Sequence, residues 1–78
     1  MNQQLIFNND VEYSAARQAV RFSCLVAGLK VDFFIACPPD TEPAVFVNKV
    51  KAELFNWEDC AEQAIADDAY NEAGEIWL

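Results

Sequence analysis

The sequence predicts an α+β domain: an antiparallel sheet with helical segments packed on one face. Three observations carry this reading. Residues 19–37, AVRFSCLVAGLKVDFFIAC, alternate apolar and polar side chains on both sides of a glycine, which is the period of strands. From Ala44 onward apolar residues recur every three or four positions, which is the period of a helix. Between the two stands PPDTEP, residues 38–43, which cannot continue a central strand and reads as a loop.

Taken in order, QQLIF (3–7) reads as a short N-terminal strand. NNDVEYSAARQ (8–18) reads as its connection, with Asn8, Asn9 and Asp10 as turn formers. In the hairpin, Ala27-Gly28 serves as a two-residue loop. Val26 then faces Leu29, Cys24 faces Val31, Phe22 faces Phe33 and Val20 faces Ile35, so every inward residue meets another; a slip of one would carry polar residues inward.

The helical stripe runs through Val47, Val50, Leu54, Trp57, Ala61, Ala64 and Asp68, with Ile65 widening it. Its phase holds across Phe55-Asn56, but Asn56 followed by Asp59 resembles an N-terminal cap. Two helices, or one bent helix with a break near Asn56, are expected. The helix should end near Ala69. Tyr70–Gly74 then turn the chain, with Gly74 free to take positive φ, and Glu75–Leu78 form a last strand. Residues 1–78 make one domain, without internal repeats.

The acid-rich close, DDAYNEAGEIWL, invites a calcium-loop reading. Gly74 at the sixth loop position would put Ala69 at the first and Ala73 at the fifth, where ligands are required, and the twelfth position lies beyond Leu78. The match fails, and the stretch reads as a turn and strand.

The sequence of 78 residues is 54% hydrophobic and 13% aromatic, rich for a small acidic domain. Such a composition fits a packed fold that also buries surface against another chain. Residues 1–39 balance Asp10, Glu12 and Asp32 against Arg17, Arg21 and Lys30. Residues 40–78 hold ten acids against Lys49 and Lys51, so the net charge of −8 belongs to the second half. Nucleic acid and anionic membranes are therefore not expected partners.

Histidine is absent, which excludes Ser–His and Cys–His nucleophilic sites and histidine-based metal sites. No phosphate-binding glycine motif occurs, since Gly28 and Gly74 are the only glycines. No catalytic residue, metal ligand or cofactor is expected. Cys24, Cys37 and Cys60 are an odd number without a CxxC pair, and there is no signal-peptide pattern. A cytoplasmic protein with reduced, mostly buried thiols is expected. Cys60, flanked by Glu58, Asp59 and Glu62, is expected to be inert. The acids of the helix read as a solvated face.

The candidate site is the outer face of the hairpin. Strand alternation sets Leu25 and Phe34 opposite the core, beside Arg21 and Lys30, and sets Trp77 opposite Ile76 and Leu78. Either this face is an interface, or the N-terminal strand or the 11–18 segment covers it.

RQAVRFSCLVAGLKVDFFIA and AEQAIADDAYNEAGEIWL resemble the small bacterial family called domain of unknown function 1488. The features are Ala19-Val20-Arg21-Phe22, the central Gly28, a helix containing Ala61, and Gly74 through Leu78. The resemblance implies a compact α+β fold and no activity. The functional expectation is a non-enzymatic interaction module that forms a homodimer or binds another protein. The alternative is a small-molecule-binding or regulatory domain with a pocket between sheet and helix. An acidic imitation of nucleic acid comes third.

Overall fold

The computed structural model describes residues 5–78. Its elements are β1 (Leu5–Phe7), β2 (Glu12–Ser14), β3 (Ala19–Val26), β4 (Leu29–Ala36), α1 (Pro43–Ala52), α2 (Leu54–Ala66) and β5 (Ile76–Trp77). Leu5–Phe7 form the expected first strand, while Gln3 and Gln4 lie outside the described residues.

The β3–β4 hairpin has the predicted register, with Val26 opposite Leu29, Cys24 opposite Val31, Phe22 opposite Phe33 and Val20 opposite Ile35. Ala27 (φ 51) and Gly28 (φ 86) both take positive φ. A tight hairpin loop of this sort matches the twist of its strands. Only Gly28 does so without cost; Ala27 carries a Cβ in a region that L residues avoid.

Both β1 and β2 pair antiparallel with β3, one after the other along its length. The 8–18 segment is thus not a plain connection, because Glu12–Ser14 form a strand within it. The last strand also departs from expectation. β5 pairs parallel to β4, with Phe33 opposite Ile76 and Phe34 opposite Trp77, so the sheet is mixed although mostly antiparallel. Parallel neighbours require a long crossover, and α1 and α2 supply it.

Both helices pack on the inner sheet face. Phe46, Val50, Ala61 and Ile65 join Val20, Phe22, Cys24, Val26, Val31, Phe33, Ile35 and Ile76 in one buried cluster. Phe22 and Phe33 stack within it, ring centres 5.0 Å apart. The helix break falls at Glu53 rather than Asn56, which lies inside α2. The Glu53 N–H still reaches the Lys49 and Val50 carbonyls, both at 3.1 Å, so the last turn of α1 closes before the chain bends, and α2 starts at once. Asn56 caps nothing, because Glu53 already occupies the cap position.

α2 stops at Ala66, short of Ala69. The Asp68 N–H bonds the Ile65 carbonyl and the Ala69 N–H the Ala64 carbonyl, each at 3.0 Å. Asp68 sits at φ 57, the left-handed terminator of this helix end, and is exposed rather than on the apolar stripe. Gly74 takes the expected positive φ (78). The turn before it is built on Asn71, whose Oδ1 accepts the Ala73 and Glu75 N–H groups, both at 2.9 Å. The oxygen that a calcium reading would assign to a cation is thus occupied by two backbone donors.

Candidate functional site

Successive strands bring Glu12, Arg21, Phe34 and Trp77 into one row across the outer face, each opposite the next. Ser23 and Asp32 form the adjacent row, and Ile6, Leu25 and Lys30 the one beyond. The four candidates therefore share one face, but they differ in accessibility. Trp77 is 43% exposed, Leu25 and Arg21 are half-buried, and Phe34 is only 4% exposed.

Phe34 points outward as its alternation requires, yet the chain itself covers it. The Trp77 indole stacks on its ring at 5.0 Å, and the Arg17 guanidinium lies 4.9 Å from the ring centre. Glu75 holds that guanidinium in a two-pronged pair at 2.9 and 2.7 Å. Planar pairing of this kind fixes orientation, and a cation over an aromatic face is attracted to it. Hydrogen bonding to Glu75 raises the Arg17 pKa, and the same bond lowers that of Glu75. The cover thus comes from the 11–18 segment together with the C-terminal strand. Phe34 is accordingly a buried residue of the outer face and not an open contact.

Arg21 is the centre of a second polar cluster. Its guanidinium lies 2.9 Å from Glu12, 3.0 Å from Asp32 and 3.5 Å from Asp10. Beside it Ser23 is fully buried. Asp10 accepts both the Ser23 N–H at 2.9 Å and its hydroxyl at 2.5 Å, and Asn8 donates to the same hydroxyl at 2.9 Å. Burial pushes the Asp10 carboxyl up, but the two bonds from Ser23 and the Arg21 charge outweigh it, so the pKa is lowered from 3.8. The turn formers Asn8 and Asp10 thus plug the middle of the face. Composition could suggest a turn there, but not that its side chains fold back over Ser23.

The layer between sheet and helices, where a ligand pocket was the alternative expectation, is occupied by Phe46, Val50, Ala61, Ile65 and Ile76. A shallow depression of about 330 Å³ lies elsewhere, at the α1–α2 junction, bordered by Lys51, Ala52, Leu54, Phe55 and Glu58. Among the described residues no group of three or more Cys, Asp and Glu side chains is placed to hold a metal ion. No described helix is long and apolar enough to cross a membrane.

The thiols divide. Cys24 is buried, Cys37 half-buried and Cys60 exposed, so the expectation of mostly buried thiols is correct only for the strand interior. Burial, with the Asp10 charge adding to it, pushes the Cys24 thiol up to about 11. Cys60 is exposed because α2 turns Ala61 inward and leaves its neighbour on the solvent side.

These features define a class: a small α+β domain with helices on one sheet face and ion-paired side chains folded over the other. The chain belongs to the family described as protein of unknown function (DUF1488), whose model matches residues 5–78. A crystal structure of a DUF1488 family protein of unknown function from Shewanella loihica PV-4 has the same fold. Its TM-score is 0.87 at 21% identity, over 100% of this chain and 94% of that one. No curated protein matches the chain.

Proposed function

We propose that the protein is a non-enzymatic interaction module that self-associates through the outer sheet face, in a contact that reaches from Trp77 at one end to Leu25 and Ile6 at the other. The observation that carries this reading is Trp77, 43% exposed on a face whose central charges are already paired within the chain. Tryptophan is enriched at interfaces. Charges neutralised in advance leave little repulsion when a second copy approaches. The helical side, which belongs to the half with the net charge of −8, would repel its own copy. Ile6, 52% exposed, lies opposite Leu25 and enlarges the apolar surface there.

Sedimentation of the wild type and of Trp77→Ser tests the proposal. A wild-type dimer that Trp77→Ser converts to monomer is the expected result. A wild-type monomer at about 100 μM, well above the dissociation constants of modest complexes, rejects it. Phe34 is unsuited to this test, because its burial makes any polar replacement a folding defect.

A further inference from the structure

The charges of α2 are used differently from those of the sheet. From Glu53 to Asp68 the chain carries Glu53, Glu58, Asp59, Glu62, Asp67 and Asp68, and no Lys or Arg follows Lys51. Among the described residues none of these six carboxylates lies in an ion pair. Asp67 and Asp68 also stand at the C-terminal end of α2, where the helix dipole disfavours anions. Phe55 interrupts this acidic surface with 86% exposure, greater than any other large hydrophobic residue described. It borders the depression of about 330 Å³ at the helix junction with Leu54, Ala52, Lys51 and Glu58. Helical spacing places Glu58, Asp59 and Glu62 on the side of α2 that Phe55 occupies.

We propose that the α1–α2 junction docks a basic amphipathic segment of a partner protein. An apolar side chain of the partner seats against Phe55 in the depression, and its Lys or Arg residues meet Glu58, Asp59 and Glu62. Charge complementarity selects this occupant. A second copy would set these carboxylates against their like, and a polyanion would be repelled. Lys51, on the α1 side of the depression, sets the direction: the partner's carbonyl or C-terminal end faces α1 and its basic residues face α2. Cations placed toward Asp67 and Asp68 would also relieve the unfavourable charge at the helix end. The surface is separate from the outer sheet face, so this inference does not rest on self-association.

The probe is a synthetic helix of about four turns with leucines on one face and lysines on the other. Two companions replace the lysines by glutamate or the leucines by serine. Amide shifts and calorimetry on the full chain read the binding at low and high salt. The expected result is saturable binding of the Leu/Lys peptide, with shifts centred on residues 51–62 and weakening as salt screens the charges. Phe55→Ser and the double variant Asp59→Asn, Glu62→Gln should each weaken it about tenfold or more, the scale of one lost anchor. Trp77→Ser should leave it unchanged. Absent binding, shifts spread evenly over all acidic residues, equal affinity for Phe55→Ser, or equal affinity for the serine companion would each overturn the proposal.

Discussion

The outer sheet face and the exposed face of α2 are built from the same residue types and do opposite things with them. On the sheet, Arg17 and Arg21 gather Glu75, Glu12, Asp32 and Asp10, and these pairs close over Phe34 and Ser23. On α2, among the described residues, no carboxylate lies in an ion pair, and the aromatic among them, Phe55, stands in solvent. A charged residue on the sheet is part of what makes the fold, whereas one on the helix is available to something else. Exposure alone does not make that distinction. Arg17 has a 43% exposed side chain, yet it shields a buried ring.

The contrast is sharpest for the thiols. Cys24 on β3 should react with a thiol reagent only through global opening, at least ~10³-fold more slowly than Cys60 on α2, given typical domain stabilities. Mass spectrometry of timed labelling would read both; comparable rates would mean that the sheet breathes as freely as the helix surface.

Next in size is the ring pair. Phe34→Ala should cost about 3 kcal/mol in denaturant unfolding, the range for a buried Phe, although Phe34 faces away from the main core. A cost below ~1 kcal/mol would show that the Arg17–Trp77 cover is open in solution.

Asp10→Ala should cost roughly 1–3 kcal/mol by stranding the buried Ser23 N–H. Asp10→Asn adds a test by pH. The folded pKa of Asp10 is lowered from 3.8, so its contribution is whole above that value and is lost as the pH falls through the folded one. Wild-type stability should therefore fall more steeply below about pH 4 than that of Asp10→Asn. Parallel curves would remove Asp10 from the account.

At the hairpin turn, Ala27→Asn should stabilise by up to ~1 kcal/mol, since Asn accepts the left-handed conformation that strains Ala. The smallest effect belongs to the helix. Phe55→Ser should change stability by less than ~0.5 kcal/mol, as expected for an exposed side chain without partners. A larger loss would place Phe55 in the fold rather than on a docking surface.

How much of this was legible in the sequence depended on the range of the interaction. The hairpin register was readable because a strand's period of two permits only one pairing of the inward residues. Gly74 and the final strand were readable from local turn chemistry. The helix stripe was readable in phase but not in its break, since one bend at Glu53 leaves the repeat nearly continuous. Phe46 was missed because the stripe as read begins at Val47, whereas the first turn of α1 buries Phe46 and buries Val47 only in part. The site was legible as a face and not as a surface. Alternation correctly set Phe34 outward, but its cover arrives from Arg17 and Glu75, which are 58 positions apart. No local pattern reports that meeting. The parallel pairing of β5 was hidden for the same reason.

That strand also bears on the order in which the molecule assembles. β3 and β4 meet across a two-residue turn, whereas β5 reaches β4 only after the chain has closed a loop of roughly forty residues, a costlier step in chain entropy. Its arrival completes both sides of the sheet at once: Ile76 enters the core, and Trp77 caps Phe34. Until then β4 is an open edge bearing Phe33 and Phe34, the kind of edge that recruits foreign strands. Hairpin residues such as Val31 should therefore show high φ-values and Ile76 a value near zero. Ile76→Val should accelerate unfolding and leave the folding rate almost unchanged, and a slowed folding rate would place the closing strand in the nucleus instead.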